Sequence, residues 1–154
     1  MRLDKLTIKA QEALSAAMDA AAQHQHPEIG SLHILHALVS QEGGAVPSIL
    51  QRLGLRPDTV LAATEEKLQS LPRISGAASQ AGLSGAANRL LEAAWNEAQA
   101  LKDQYLSTEH ILLGMISLRD DPAGILLRDR GATRENLLAA MQQVRGTQRG
   151  TDPN

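Results

Sequence analysis

The 154 residues include no cysteine and no phenylalanine. Without cysteine there are no disulfides, no thiol catalysis and no cysteine-ligated zinc or iron–sulfur centre. Aromatics are 1% of the chain, Trp95 and Tyr105 alone, and β-branched residues are scarce, so strands are disfavoured. No run of about 18 apolar residues occurs, so no membrane span is expected. Positive charge is not in excess: 15 Lys and Arg stand against 17 Asp and Glu, a formal net charge of −2, which argues against nucleic-acid binding. Residues 1–9 are polar and charged rather than apolar, so no signal peptide is expected and the expected compartment is the cytoplasm. The phosphate-cradling GxxxxGK[ST] loop is missing, as are GxGxxG, HExxH, GxSxG and EF-hand patterns. What remains is 43% apolar residues, dominated by Ala and Leu. That is enough for a core and suited to helices, so the expected class is all-α.

Apolar spacing places the helices. Leu6, Ala10, Leu14, Ala17 and Ala21 form one stripe of a helix over about 7–23. Further helices are expected over about 31–41, 46–53 and 57–71, with Gly43-Gly44 and Gly54 as stops and Pro57 at a first helical position. Residues 72–82, rich in Gly, Ser and Ala, read as a linker. The pattern then restarts. A shift of 77 residues lays Leu6 on Leu83, Ala10 on Ala87, Leu14 on Leu91, Gly54 on Gly131, and His33-Ile34-Leu35 on His110-Ile111-Leu112, without a gap. The second set of helices falls near 84–103, 108–119, 122–130 and 134–145, with Thr133 as a cap for the last. The chain therefore reads as a tandem, pseudo-symmetric repeat of two four-helix units in one globular domain over 1–145, repeat one at about 6–71 and repeat two at about 83–145. Residues 146–154 read as a flexible tail that begins a linker. Each unit has a marginal core by itself, and packing two together shares apolar surface and leaves a seam that can form a groove.

Of the five histidines, His33 and His36 stand at i, i+3, but the second repeat has His110 and Leu113 there. The recurrent His33/His110 is expected to cap or pack at a helix start, and no metal site is expected. His24 and His26, beside Pro27, are expected to be solvated. Glu65-Glu66 reads as a solvated helix face and Asp120-Asp121 as helix-start chemistry. Glu109 lies at a helix start, where either dipole complementation or ligand contact would explain it. Positions apolar in only one copy are a further handle. Ile8 faces Gly85, Leu90 faces Ala13, Leu101 faces His24 and Leu113 faces His36 across the shift. Such positions either reflect ordinary packing variation or line an exposed apolar groove.

Gly30-Ser31-Leu32-His33-Ile34-Leu35 and Ser107-Thr108-Glu109-His110-Ile111-Leu112-Leu113-Gly114 resemble the paired motifs of Clp N-terminal domains. The opening Met1-Arg2-Leu3-Asp4-Lys5-Leu6-Thr7, together with Gly131-Ala132-Thr133 and residues 141–146, is similar to the disaggregase branch of that family. The resemblance implies a substrate-binding N-domain, without catalytic residues, tethered to a hexameric AAA+ ATPase. In that branch the N-domain captures exposed apolar segments of unfolded or aggregated proteins, which the ATPase rings then thread. Three polar positions of that branch match Thr7, Asp103 and Glu109. With Ile8, Leu90 and Leu113 they make up the expected client groove. Leu32 stands where the ClpC branch has a glutamate, so paired phosphoarginine pockets are not expected. ATP and magnesium are implied for the ATPase rings and no cofactor for this chain. An Hsp70-type chaperone is an implied partner, and the domain by itself is expected to be a monomer. A groove without phenylalanine predicts weak single-segment affinity, about 10–100 μM, offset by multivalency. Docking of a specific adaptor, as in the ClpA and ClpC branches, is the alternative.

Overall fold

The computed structural model describes residues 3–75 and 81–145. After a 3-10 turn at Leu3–Lys5, the described residues form eight α-helices. They are α1 (Ile8–Gln23), α2 (Ser31–Ser40), α3 (Ala45–Arg52), α4 (Pro57–Gln69), α5 (Gly85–Ala100), α6 (Thr108–Ser117), α7 (Pro122–Asp129) and α8 (Arg134–Arg145). Every helix of the second set starts 77 residues after its counterpart. The all-α tandem repeat expected from the sequence is the fold. The tail at 146–154 lies outside the described residues, as does 76–80 of the expected linker.

Local chemistry explains the shared boundaries. The Thr7 hydroxyl accepts from the Ala10 N–H at 3.1 Å, and the Ser84 hydroxyl accepts from the Ala87 N–H at 3.0 Å, capping α1 and α5 in the same way. Both helices end through a residue with positive φ, Gln25 at 57° and Lys102 at 60°. The following amides reach back to close the last turn, His26 N–H to Ala21 O and Asp103 N–H to Ala98 O, both at 2.9 Å. Thr133 caps α8 reciprocally with Asn136: each side-chain oxygen accepts from the other residue's N–H, at 3.1 and 2.8 Å. Thr7 is buried while Ser84 is half-buried. Thr7→Ala is therefore expected to cost about 1 kcal/mol, and Ser84→Ala less. Urea unfolding curves of the two variants check this, and equal midpoints would overturn it.

The core is one continuous cluster drawn from both repeats, with Leu35, Leu38, Leu50, Ile111, Leu112 and Leu127 among its fully buried members. Strand content is disfavoured by composition, yet two short parallel contacts form. β1 (Glu28–Ile29) pairs with β2 (Gly82–Leu83), and Leu6 bridges Leu106. Under the 77-residue shift Leu6 corresponds to Leu83 and Ile29 to Leu106. The segment entering each repeat thus pairs with the loop between the first two helices of the other.

Three residues depart from the sequence reading. His26 is not solvated: it is 2% exposed, with its Nδ1 2.8 Å from His33 Nε2. The turn at Gln25 folds it under the end of α1. Leu90 and Leu113 are not surface residues either, at 0% and 1% exposure. The cause is Gly114, where a Cβ would stand 3.0 Å from Ala94 N and 3.1 Å from Leu90 O. With no side chain there, α6 lies against the α5 backbone and buries both leucines.

Candidate functional site

The three polar residues singled out in the sequence converge on one end of repeat two. The Thr7 N–H donates to Leu106 O at 3.0 Å, and the Leu106 N–H donates to Lys5 O at 2.7 Å. These bonds hold the start of α1 against the 101–107 connector, which carries Asp103 and leads into Glu109 in the first turn of α6. Ile8, at the first position of α1, is 50% exposed on this end. Leu90 and Leu113 lie in the core beneath it.

The connector is organised around His110. Its Nδ1 accepts the Ser107 N–H at 2.8 Å, which fixes the remaining proton of a neutral ring on Nε2. That Nε2–H points to Asp103 Oδ2 at 2.7 Å. Arg145, at the end of α8, donates to the same oxygen at 2.8 Å and to Glu109 Oε2 at 3.2 Å. The second Glu109 oxygen accepts from the Thr108 hydroxyl at 3.0 Å. Burial pushes the His110 pKa below its ordinary value, opposed by the hydrogen bond and charge of Asp103. Dipole complementation at α6 is thus one of two things Glu109 does; the other is to fasten α8. Arg145 was not singled out in the sequence, because the corresponding position in repeat one is the buried Leu68.

Repeat one uses the same caps with different chemistry. Gly30 donates its N–H to His33 Nδ1 at 3.0 Å, and His33 Nε2 meets His26 rather than a carboxylate. The recurrent His33 and His110 are therefore helix caps. His36 lies outside this arrangement and contacts Glu65 at 3.2 Å, so that carboxylate is partnered and not merely solvated.

A groove of about 430 Å³ lies at the seam between repeats. Its walls come from Leu32 and Ala63 on one side and Pro122, Ile125 and Leu126 on the other, with Glu66, Lys67, Asp129 and Arg130 at its polar edges. None of the six expected groove residues lines it. Among the described residues no group of three or more His, Asp or Glu is arranged to hold a metal ion, and no helix is long and apolar enough to cross a membrane.

The fold and sequence have close parallels. Chaperone protein ClpB of Rhodopirellula baltica is 38% identical over 153 residues, covering 99% of this chain and 17% of that protein. Chaperone protein ClpB of Mycobacterium bovis is 39% identical over 147 residues, covering 96% and 17%. The chain thus spans less than a fifth of the length of these relatives. The N-terminal domain of Hsp104 from Candida albicans superposes with a TM-score of 0.83, covering 97% of each chain at 20% identity. A ClpV N-domain in complex with a VipB peptide superposes with a TM-score of 0.77 at 25% identity, covering 92% of this chain and 87% of that one. The model of the Clp repeat N-terminal domain matches residues 5–130. With the paired histidine caps and the 77-residue repeat already in place, this chain belongs to the Clp N-terminal domain family, in its ClpB branch.

Proposed function

We propose that this domain is the client-binding module of a ClpB-type ATP-dependent disaggregase, holding apolar segments of unfolded or aggregated proteins for threading by AAA+ rings. The observation that carries the reading is the exposed Ile8 on a turn hydrogen-bonded to the connector of Asp103 and Glu109. An apolar client segment would cover Ile8, while Glu109 attracts basic residues beside that segment. Arg145 already holds both carboxylates, so a client cation would share or displace it. Leu90 and Leu113 act from below, as support for α5 and α6. ATP and magnesium would serve the rings of the whole protein, where hexamer neighbours and an Hsp70-type chaperone are further partners.

The test is an amide NMR titration with a carboxymethylated, permanently unfolded polypeptide. Saturable shifts are expected at residues 7–8 and 103–110, with a Kd of about 10–100 μM. Ile8→Ser and Glu109→Ala are each expected to weaken binding about three- to tenfold. No saturable shift, or shifts elsewhere that ignore both substitutions, would overturn the site. Docking of one specific partner is the second reading, favoured by the peptide-bound ClpV N-domain of the same fold. Recovery of a single stoichiometric partner, and not many unfolded clients, would select it.

A further inference from the structure

The buried hydrogen-bond chain of repeat one ends differently from that of repeat two. In both, a backbone N–H donates to the Nδ1 of the capping histidine. In repeat two the histidine's Nε2–H meets Asp103, whose charge Arg145 balances. In repeat one it meets the Nδ1 of His26, and His26 Nε2 is buried without a well-formed hydrogen bond. The position equivalent to Arg145 is Leu68, whose backbone is the polar group favouring a proton on His26. The groups that bear on the pair are of one sign. His24 stacks on His26 with ring centroids 5.2 Å apart, the charge of Arg73 disfavours a further proton on His26, and His36 disfavours one on His33. The carboxylates nearby are engaged elsewhere: Glu65 on α4 contacts His36, Asp121 at the start of α7 accepts the Gly124 N–H, and Glu28 of β1 faces solvent.

We propose that the His26–His33 pair is an acid-sensitive latch, which opens the α1–α2 connector and its β1–β2 seam on mild acidification while the Asp103–His110 connector stays closed. The latch works because the pair admits only one direction of donation. With His33 Nδ1 filled by the Gly30 N–H, the single proton of His33 must point at His26 Nδ1. A second proton on either ring sets two donors against each other, or a donor against Gly30 N–H, in a buried site where no carboxylate of the described residues receives it. Opening the connector brings both rings into water and relieves this. Ile29 and Glu28 leave β2 with it, because they sit between the two histidines in sequence.

The sign follows from burial. Desolvation and the neighbouring histidines hold His33 down to about 4, and burial also lowers His26. The open connector binds protons near pH 6.5 and the closed one does not. The closed state therefore loses about tenfold per pH unit for each proton taken up as pH falls from 6.5 toward 4.

Hydrogen exchange of the whole chain, read residue by residue by NMR from pH 7.5 to 4.5 and corrected for intrinsic rates, tests this. Protection at residues 24–33 and 82–84 is expected to fall at least tenfold between pH 6.5 and 5, while residues 101–110 keep theirs. His26→Asp with Leu68→Arg copies the chemistry of repeat two into repeat one and is expected to remove the difference. His26→Gln, which keeps an acceptor for His33 but cannot titrate, should reduce the pH slope. Unchanged protection at 24–33 down to pH 4.5, or equal loss in both connectors, would overturn the proposal, whether or not the copied pair folds.

Discussion

Replacing Gly124 by alanine is expected to destabilise the domain by about 4 kcal/mol or more, the largest effect of an added methyl among the described glycines. A Cβ at this position would overlap Met115 O and stand 2.9 Å from Met115 C. Both atoms belong to the α6 backbone, so no rotamer change makes room. Overpacking a core usually costs about 1–3 kcal/mol, and that range assumes side chains that can shift. Here α7 itself must move off α6 by more than an ångström. Arg128 reinforces the contact by donating to Ile116 O at 2.8 Å and Arg119 O, so the two helices cannot separate without losing these bonds as well. Asp121 adds its cap to the Gly124 N–H at 3.0 Å. Gly54→Ala is the control: φ is +79°, and nothing lies within 4 Å of its would-be Cβ, so the cost is backbone strain alone, about 1 kcal/mol. Urea denaturation of the three proteins gives the comparison. A Gly124→Ala midpoint at or above that of Gly54→Ala would overturn the argument.

Asp103→Ala is expected to cost about 3 kcal/mol, because the loss falls on what is left behind. Asp103 is buried and serves His110 Nε2 and Arg145 together. Its removal strands a buried imidazole N–H and takes from Arg145 its shorter contact. Arg145 keeps Glu109 at 3.2 Å, which limits the damage. Asp103→Ala combined with Arg145→Leu should recover part of the loss, with a coupling of about 1–2 kcal/mol, since a leucine already stands at the equivalent position of repeat one. Strict additivity of the two substitutions would show that the Arg145–Asp103 contact contributes little. A loss under 1 kcal/mol for Asp103→Ala would remove the network as a structural element.

Sequence periodicity reached the architecture because each repeat carries its own punctuation. The capping hydroxyls of Thr7 and Ser84 and the glycine stops at Gly54 and Gly131 recur at the same offset, and these are local signals that need no tertiary knowledge. The site was less accessible for identifiable reasons. Asp103 and Glu109 came from a family resemblance, but their partner Arg145 sits opposite an apolar residue in the other copy, so repeat comparison points away from it. His26 looked like a loop residue beside Pro27. Its burial depends on a positive φ at Gln25, a residue type that does not advertise one. Leu90 and Leu113, apolar in one copy only, fit either a groove or ordinary packing variation between the copies. Gly114 decided for packing, by a close helix approach visible only in three dimensions. Gly124 was silent for the same reason: in the 77-residue alignment it falls on Pro47, and a crowded glycine cannot be told from a flexible one by pattern.

The crossed pairing of Leu6 with Leu106 and of β1 with β2 also bears on how the chain is made. A ribosome delivers Leu106 roughly 5–20 s after Leu6 at ordinary synthesis rates. Within that interval the first four helices can form, but Leu6 stays unpaired until its end, and Ile29 stays unpaired until Leu83 has emerged. The duplication that makes each half look independent therefore makes the first half wait for the second, and the nascent protein carries two open edges until its sister repeat arrives.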